Sequence, residues 1–223
     1  MPIDRPLVPR AAPPAITRRR VLGAASALAV AATAAPWPAL AAAPATPRQT
    51  EGPFYPVRLP LDIDNDLVRV TGAAARAQGT VTHIAGRVLD LEGRPLAGAR
   101  VEIWQCDASG LYLHPGSGNP GRRDAGFQGF GATVAAADGS YRFRTIRPVP
   151  YSGRTPHIHF AVTAPGRPRL VTQMYVAGEP GNDRDMVLRR IEPAARAAVL
   201  VTLVPAPDIE SAALAGRFDI VLA

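Results

Sequence analysis

The chain has 223 residues, enough for one substantial domain with a proper core and no need of a second. Its formal net charge is +7, but six arginines against Asp4 alone place +5 of it in residues 1–48, and the remaining +2 is spread without basic runs, which argues against a nucleic-acid partner. Cys106 is the only cysteine, so neither an intramolecular disulfide nor an all-cysteine metal site can form, and any metal must use His, Tyr or carboxylate donors.

Within residues 1–43, Arg18-Arg19-Arg20 precede an alanine-rich apolar stretch that ends in small residues around Ala41 and Ala43, the charged, apolar and cleavage regions of a signal peptide. Thr17-Arg18-Arg19-Arg20-Val21-Leu22 is similar to the twin-arginine export signal, with Val21 where that pattern usually has phenylalanine. Pro36 and Pro38 interrupt the apolar run, so no stable membrane span is expected in the mature form. The expected location is periplasmic or extracellular, by a route that carries proteins already folded and with any cofactor in place.

Residues 44–78 read as an N-terminal arm and loop, and 79–223 as the main domain. Short apolar or alternating runs separated by Gly, Pro, Asp and Asn predict strands over 79–90, 99–106, 140–146, 157–164, 170–176, 199–205 and 216–222. Tyr141, Phe143 and Thr145 fall on one face of their strand and Arg142 and Arg144 on the other. The one helical candidate is 184–199, divided or restarted by Pro193. The fold class is therefore all-β: a β-sandwich with long loops over 107–134 and 147–156 and at most a short helix near the C-terminal part.

His157 and His159 stand two apart on a predicted strand, so they share a face, with Ile158 and Phe160 on the opposite one. Alone, this pair is more simply two hydrogen-bonded histidines, and a metal site needs further ligands. Tyr151, on a proline-stiffened loop, and Tyr112, after a turn at Gly110, are in reach, although packing is the simpler reading of each tyrosine by itself. His83 and His114 lack motif support.

Taken together and in order, W-Q-x-D-x-x-G-x-Y from Trp104, D-G-x-Y-x-F-R-T-I-x-P-x-P-Y from Asp138, R-x-x-H-I-H-F from Arg154 and T-Q-x-Y from Thr172 resemble the intradiol ring-cleavage dioxygenases, the catechol and protocatechuate 3,4-dioxygenase family. The resemblance runs from Thr50-Glu51-Gly52-Pro53-Phe54-Tyr55 to the stretch ending at Leu222. It implies a mononuclear non-haem Fe(III) held by Tyr112, Tyr151, His157 and His159, and a reaction of dioxygen with a small aromatic diol. Such an enzyme opens the ring between the two hydroxylated carbons to a muconate-type diacid. Phenolate is a hard anionic donor suited to Fe(III), whereas ferrous oxygenases typically use two histidines and a carboxylate. The resemblance further implies Tyr151 as the ligand that leaves and serves as a base, and Arg154 as the group that stabilises negative charge on the bound ring. By the same resemblance Gln173 acts in catalysis as a supporting residue, and Gly52, Pro53 and Trp104 line the substrate site. The family also makes a homo-oligomer an open expectation.

Two features depart from the family. Gly153 stands where protocatechuate-type β-subunits carry a tryptophan, and only five residues separate Tyr151 from His157; the pocket wall should be more open, which favours catechol, hydroxyquinol or larger lignin-derived diols over protocatechuate. The sizeable helical N-terminal region of the catechol-type enzymes is absent. The alternative of another class is an exported, non-enzymatic, transthyretin-like binding module, for which D-x-x-G-x-P-L-x-G-A-x-V from Asp90 to Val101 would be the hairpin signature. That reading explains the fold but gives no reason for two tyrosines, the histidine pair and Arg154 in this order.

Overall fold

The alternating runs become two five-stranded sheets in the computed structural model, which describes residues 44–223; the signal peptide expected over 1–43 lies outside the described residues. In the first sheet β1 (Val81–Asp90) is central. The strands that follow it in the chain are β2 (Arg100–Trp104), β3 (Phe130–Val134), β4 (Ser140–Ile146), β5 (His157–Thr163), β6 (Leu170–Val176), β7 (Leu200–Val201), β8 (Val204–Pro205), β9 (Leu214–Arg217) and β10 (Ile220–Leu222). β4 runs antiparallel to β1, with Ile84 opposite Phe143, while β9 and β10 run parallel to it and β8 pairs with β9. The second sheet has the order β3-β2-β5-β6-β7, antiparallel except for β6 with β7.

The inner faces meet in one core. Ile84, Tyr141, Phe143 and Ile146 from the first sheet pack with Val101, Ile103, Ile158, Phe160 and Met174 from the second, and Phe160 sets its ring edge-on to Tyr141 and Phe143. Because successive strand residues alternate, burying Ile158 and Phe160 against the first sheet turns His157 and His159 to the other face. That face would meet solvent in a bare two-layer sandwich. Here it is covered: Phe54, Tyr55 and Tyr151 pack on a cluster that includes Trp104, Tyr112 and Phe130, and Leu188, Ile191 and Val199 pack on Tyr175. The arm is fixed by backbone bonds from Thr46 to Val221 and from Gln49 to Val171. Both histidines are consequently buried, at 1% and 2% exposure.

Several expected boundaries change. The loop expected over 107–134 ends in β3, a strand whose Gly131 and Ala132 are too small to give an apolar alternation; a Cβ at Gly131 would lie 2.5 Å from Leu67. The single strand expected over 199–205 is β7 and β8 in different sheets, and that expected over 216–222 is β9 and β10. The break between these last two falls at Phe218 and Asp219, where Tyr141 donates to the Phe218 carbonyl and Asp219 accepts from the Arg87 amide. The helix expected over 184–199 is instead a pair of 3-10 turns, Leu188–Arg190 and Pro193–Val199, preceded by another at Asn182–Arg184. Asp185 takes up the Val187 and Leu188 amides, and Pro193 has no amide to give, so an α-helical ladder cannot run through either point. Pro193 does open the second part.

Candidate metal centre

The nine residues from Trp104 to Tyr112 carry β2 out of the sheet and turn a phenol back onto it. Gln105 donates from Nε2 to the Ile146 carbonyl and accepts from Thr145, tying the strand end to β4. Asp107, fully buried, accepts from the amides of Ser109, Leu111 and Asp124 and so shapes the turn. Gly110 completes it with φ +80°, and a Cβ there would stand 3.2 Å from the Tyr151 Cβ, so both the backbone conformation and the approach of Tyr151 favour glycine. Tyr112 then reaches in at 2% exposure, stacked by Phe54 with ring centroids 4.9 Å apart.

Tyr151 and Arg154 flank a tight turn in which Ser152 (φ 44°) and Gly153 (φ 77°) are both left-handed, the pattern of a type I′ turn, closed by the Arg154 amide on the Tyr151 carbonyl at 2.8 Å. A Cβ built at Gly153 meets nothing within 4 Å. Beyond the turn, β5 presents His157 and His159. The Nδ1 of His157 lies 2.7 Å from the Thr155 carbonyl; as the donor in that bond it leaves Nε2 with its lone pair toward the site. His159 is stacked on Trp104, centroids 4.8 Å apart and 12° from parallel, and Gly52 closes over it, a Cβ there falling 3.4 Å from the His159 Cε1.

These four side chains converge. The two Nε2 atoms are 3.3 Å apart, the Tyr112 oxygen is 3.5 Å from the His157 Nε2, and the Tyr151 ring sits against those of Tyr112 and His157, centroids 5.1 and 5.5 Å away. Nitrogen and oxygen ligands stand about 2.0–2.2 Å from a first-row ion, so neighbours around a common ion lie about 3 Å apart; the set fits one ion. Among the described residues no group of three or more His, Cys, Asp or Glu side chains is placed to hold a metal, so a site here needs its phenols. Burial pushes the Tyr112 hydroxyl well above its ordinary value, reinforced by Cys106 and Tyr151. It also raises that of Tyr151, partly offset by the Tyr112 hydrogen bond and the Arg154 charge. Burial lowers His157 to about 4, with Arg154 adding to it, and lowers His159 well below its ordinary value, with His157 and Arg154 adding. All four donors are therefore neutral at ordinary pH. The imidazoles are ready to bind a metal, and the phenols would ionise only under a strong local positive charge.

Arg154 lies beside this set, held at two points: Nε to Asp185 at 2.7 Å and Nη2 to the Gln173 Oε1 at 2.7 Å. Gln173 donates in turn to the Thr50 carbonyl, and the Tyr175 hydroxyl donates its one proton to Gln49 at 2.6 Å while lying 3.0 Å from the Gln173 Oε1. Tyr175 thus hydrogen-bonds as well as packing against Leu188, Ile191 and Val199. Trp104, expected to line the substrate site, is fully buried and stacked under the His159 ring. Gly52 approaches the His159 ring, and Pro53 beside it is exposed. His83 pairs with Glu210 away from the site, and His114 sits edge-on to Phe54 with its Nδ1 accepting from Gly116. Beside Tyr112 a cleft of about 550 Å³ opens between Val57, Arg58, Leu113, His114 and Arg123, apart from the histidine pair. Asp185, Gln49 and Phe54 were not singled out in the sequence. An Asp two and three residues before paired amides is a legible turn cap, but nothing local announces its bond to Arg154.

A family model described as "Dioxygenase" matches residues 50–223. The protocatechuate 3,4-dioxygenase beta chain of Burkholderia cepacia is 34% identical over 168 residues, 72% of this chain and 72% of that one. The hydroxyquinol 1,2-dioxygenase of Corynebacterium glutamicum is 35% identical over 148 residues, 58% of this chain; the match spans 45% of that enzyme's length. Among solved structures, the dioxygenase domain of a dioxygenase and carbohydrate-binding protein fusion from Streptomyces sp. SirexAA-E superposes with a TM-score of 0.62 at 34% identity, over 80% of this chain and 98% of that one.

Proposed function

The chain belongs to the intradiol ring-cleavage dioxygenase family, and on that premise we propose that it is a non-haem Fe(III) enzyme that opens a catechol-type diol between its hydroxylated carbons to a muconate-type diacid. The observation that carries the reading is the convergence of Tyr112, Tyr151, His157 and His159 with no carboxylate among them. These four would hold the iron. What Fe(III) supplies when bound is withdrawal of electron density from a chelated diol, which exposes a ring carbon to dioxygen. The transthyretin-like alternative leaves this donor set without a purpose.

The protein's own groups divide the remaining work. Tyr151 is only half-buried and sits on a tight turn, so its phenol is the one placed to take a proton from the entering diol. Arg154 keeps a guanidinium next to the ligand set, where it stabilises negative charge on the ring in a water-poor setting. Gly52 and Phe54 close the arm side of the site. The open flank at Gly153 favours catechol, hydroxyquinol or larger diols over protocatechuate.

Export by the twin-arginine route belongs to the same proposal and is supported by Arg18, Arg19 and the alanine-rich stretch that follows. Among the described residues no helix is long and apolar enough to cross a membrane. Oxygen uptake by the iron-loaded protein with a panel of catechols tests the reading. Uptake with at least one diol is expected, together with the visible absorption of tyrosinate bound to ferric iron; a colourless protein that excludes iron would contradict it.

A further inference from the structure

Asp185 is fully buried, and every lone-pair direction of its carboxylate is used. Oδ1 accepts from the Val187 and Leu188 amides, both at 2.9 Å, which is all that the following turn requires. Oδ2 does something the turn has no need of: it accepts from the Arg154 Nε at 2.7 Å and from the Thr155 amide at 3.0 Å. The Thr155 carbonyl, on the same residue, orients the His157 ring at 2.7 Å, and the Thr155 hydroxyl is tied to Asn182 of the same segment at 2.7 Å. One oxygen atom therefore meets both the guanidinium and the backbone that aims a metal ligand. Burial works against the Asp185 charge, but hydrogen bonds from Arg154, Leu188 and Thr155 outweigh it and keep the carboxyl below its ordinary value.

We infer that Asp185 is a positioning residue of this site, holding Arg154 toward the substrate and, through Thr155, His157 toward the metal. The inference rests on the ring-cleavage reading given above. An asparagine in its place keeps Oδ1 for the turn and sets an NH₂ group against two donors, so Arg154 and the Thr155 peptide lose their common acceptor while the turn survives.

The test compares iron-loaded wild type with Asp185→Asn, Arg154→Ala, the double variant and Arg154→Lys. We expect Asp185→Asn to retain iron, to shift the tyrosinate absorption band, and to lower kcat for catechol about a hundredfold while KM stays within about threefold. In the Arg154→Ala background the same change should add little, because one interaction is removed twice. A wild-type kcat and band in Asp185→Asn, or fully additive losses in the double variant, would overturn the inference. Should Asp185→Asn fail to fold or to hold iron, Arg154→Lys decides: an ammonium cannot bridge Asp185 and Gln173, so a loss as large as that of Arg154→Ala is expected, and near-normal turnover would overturn it. If iron-loaded wild type cleaves no diol, the ring-cleavage reading is what fails, and the band shift in Asp185→Asn, read without turnover, still decides the placement of His157.

Discussion

Tyr112 and Tyr151 meet edge-on but are held differently. Tyr112 is enclosed at 2% exposure under Phe54, whereas Tyr151 is half-buried on a two-residue turn. Their removal should therefore separate two roles. Tyr112→Phe is expected to lower the iron bound per chain; Tyr151→Phe is expected to keep iron, alter the visible band and slow turnover about a hundredfold or more. Metal analysis and absorption spectra check both, and full activity in Tyr151→Phe would remove it from the proton-transfer role. The four donors and Arg154 were legible because each sits in a motif with fixed local spacing. Their supports were not: Gln49 meets Tyr175, and Asp185 meets Arg154, across long separations that no local pattern encodes. Trp104 was legible as an aromatic near the site, but its place under His159 depends on a cross-strand register that only the folded sheet sets.

At the scale of elements, strands with one clear apolar face were legible, while β3 was hidden by its small residues and the C-terminal helix was replaced by 3-10 turns. A second feature invisible in the sequence is the clamp at Arg144 on β4, which pairs with Asp66 of the arm and, through two bonds of 2.7 Å, with Glu210 before β9. Hydrogen bonding by Arg144 holds the Glu210 carboxyl down to about 2 from an ordinary 4.5. A carboxyl lowered on folding stabilises the native state above its ordinary value, and that contribution is lost as pH falls through the folded value. Thermal unfolding of Glu210→Gln against wild type should thus show a deficit at neutral pH that closes between about 4.5 and about 2. A deficit that does not change over that window would mean that the pair contributes through packing alone.

Across the whole molecule, the sandwich supplies a rigid face, and the arm together with the turns before β7 encloses it. The arm near Gln49 and Thr50 and the turns near Asp185 meet over β5 and β6, which is how a sheet face ordinarily open to water becomes a buried, uncharged donor set. At this scale the leader makes a separate prediction. In a bacterial host, Arg18→Lys with Arg19→Lys should leave the protein in the cytoplasm while wild type is exported, as checked by fractionation; unchanged export would point to the general route. The central claim concerns the reaction. Incubating the iron-loaded protein with catechol and dioxygen and identifying the product tests it most directly: the muconate diacid, opened between the two hydroxylated carbons, is predicted, and a semialdehyde opened beside them, or no product from a protein shown to hold iron, would contradict it.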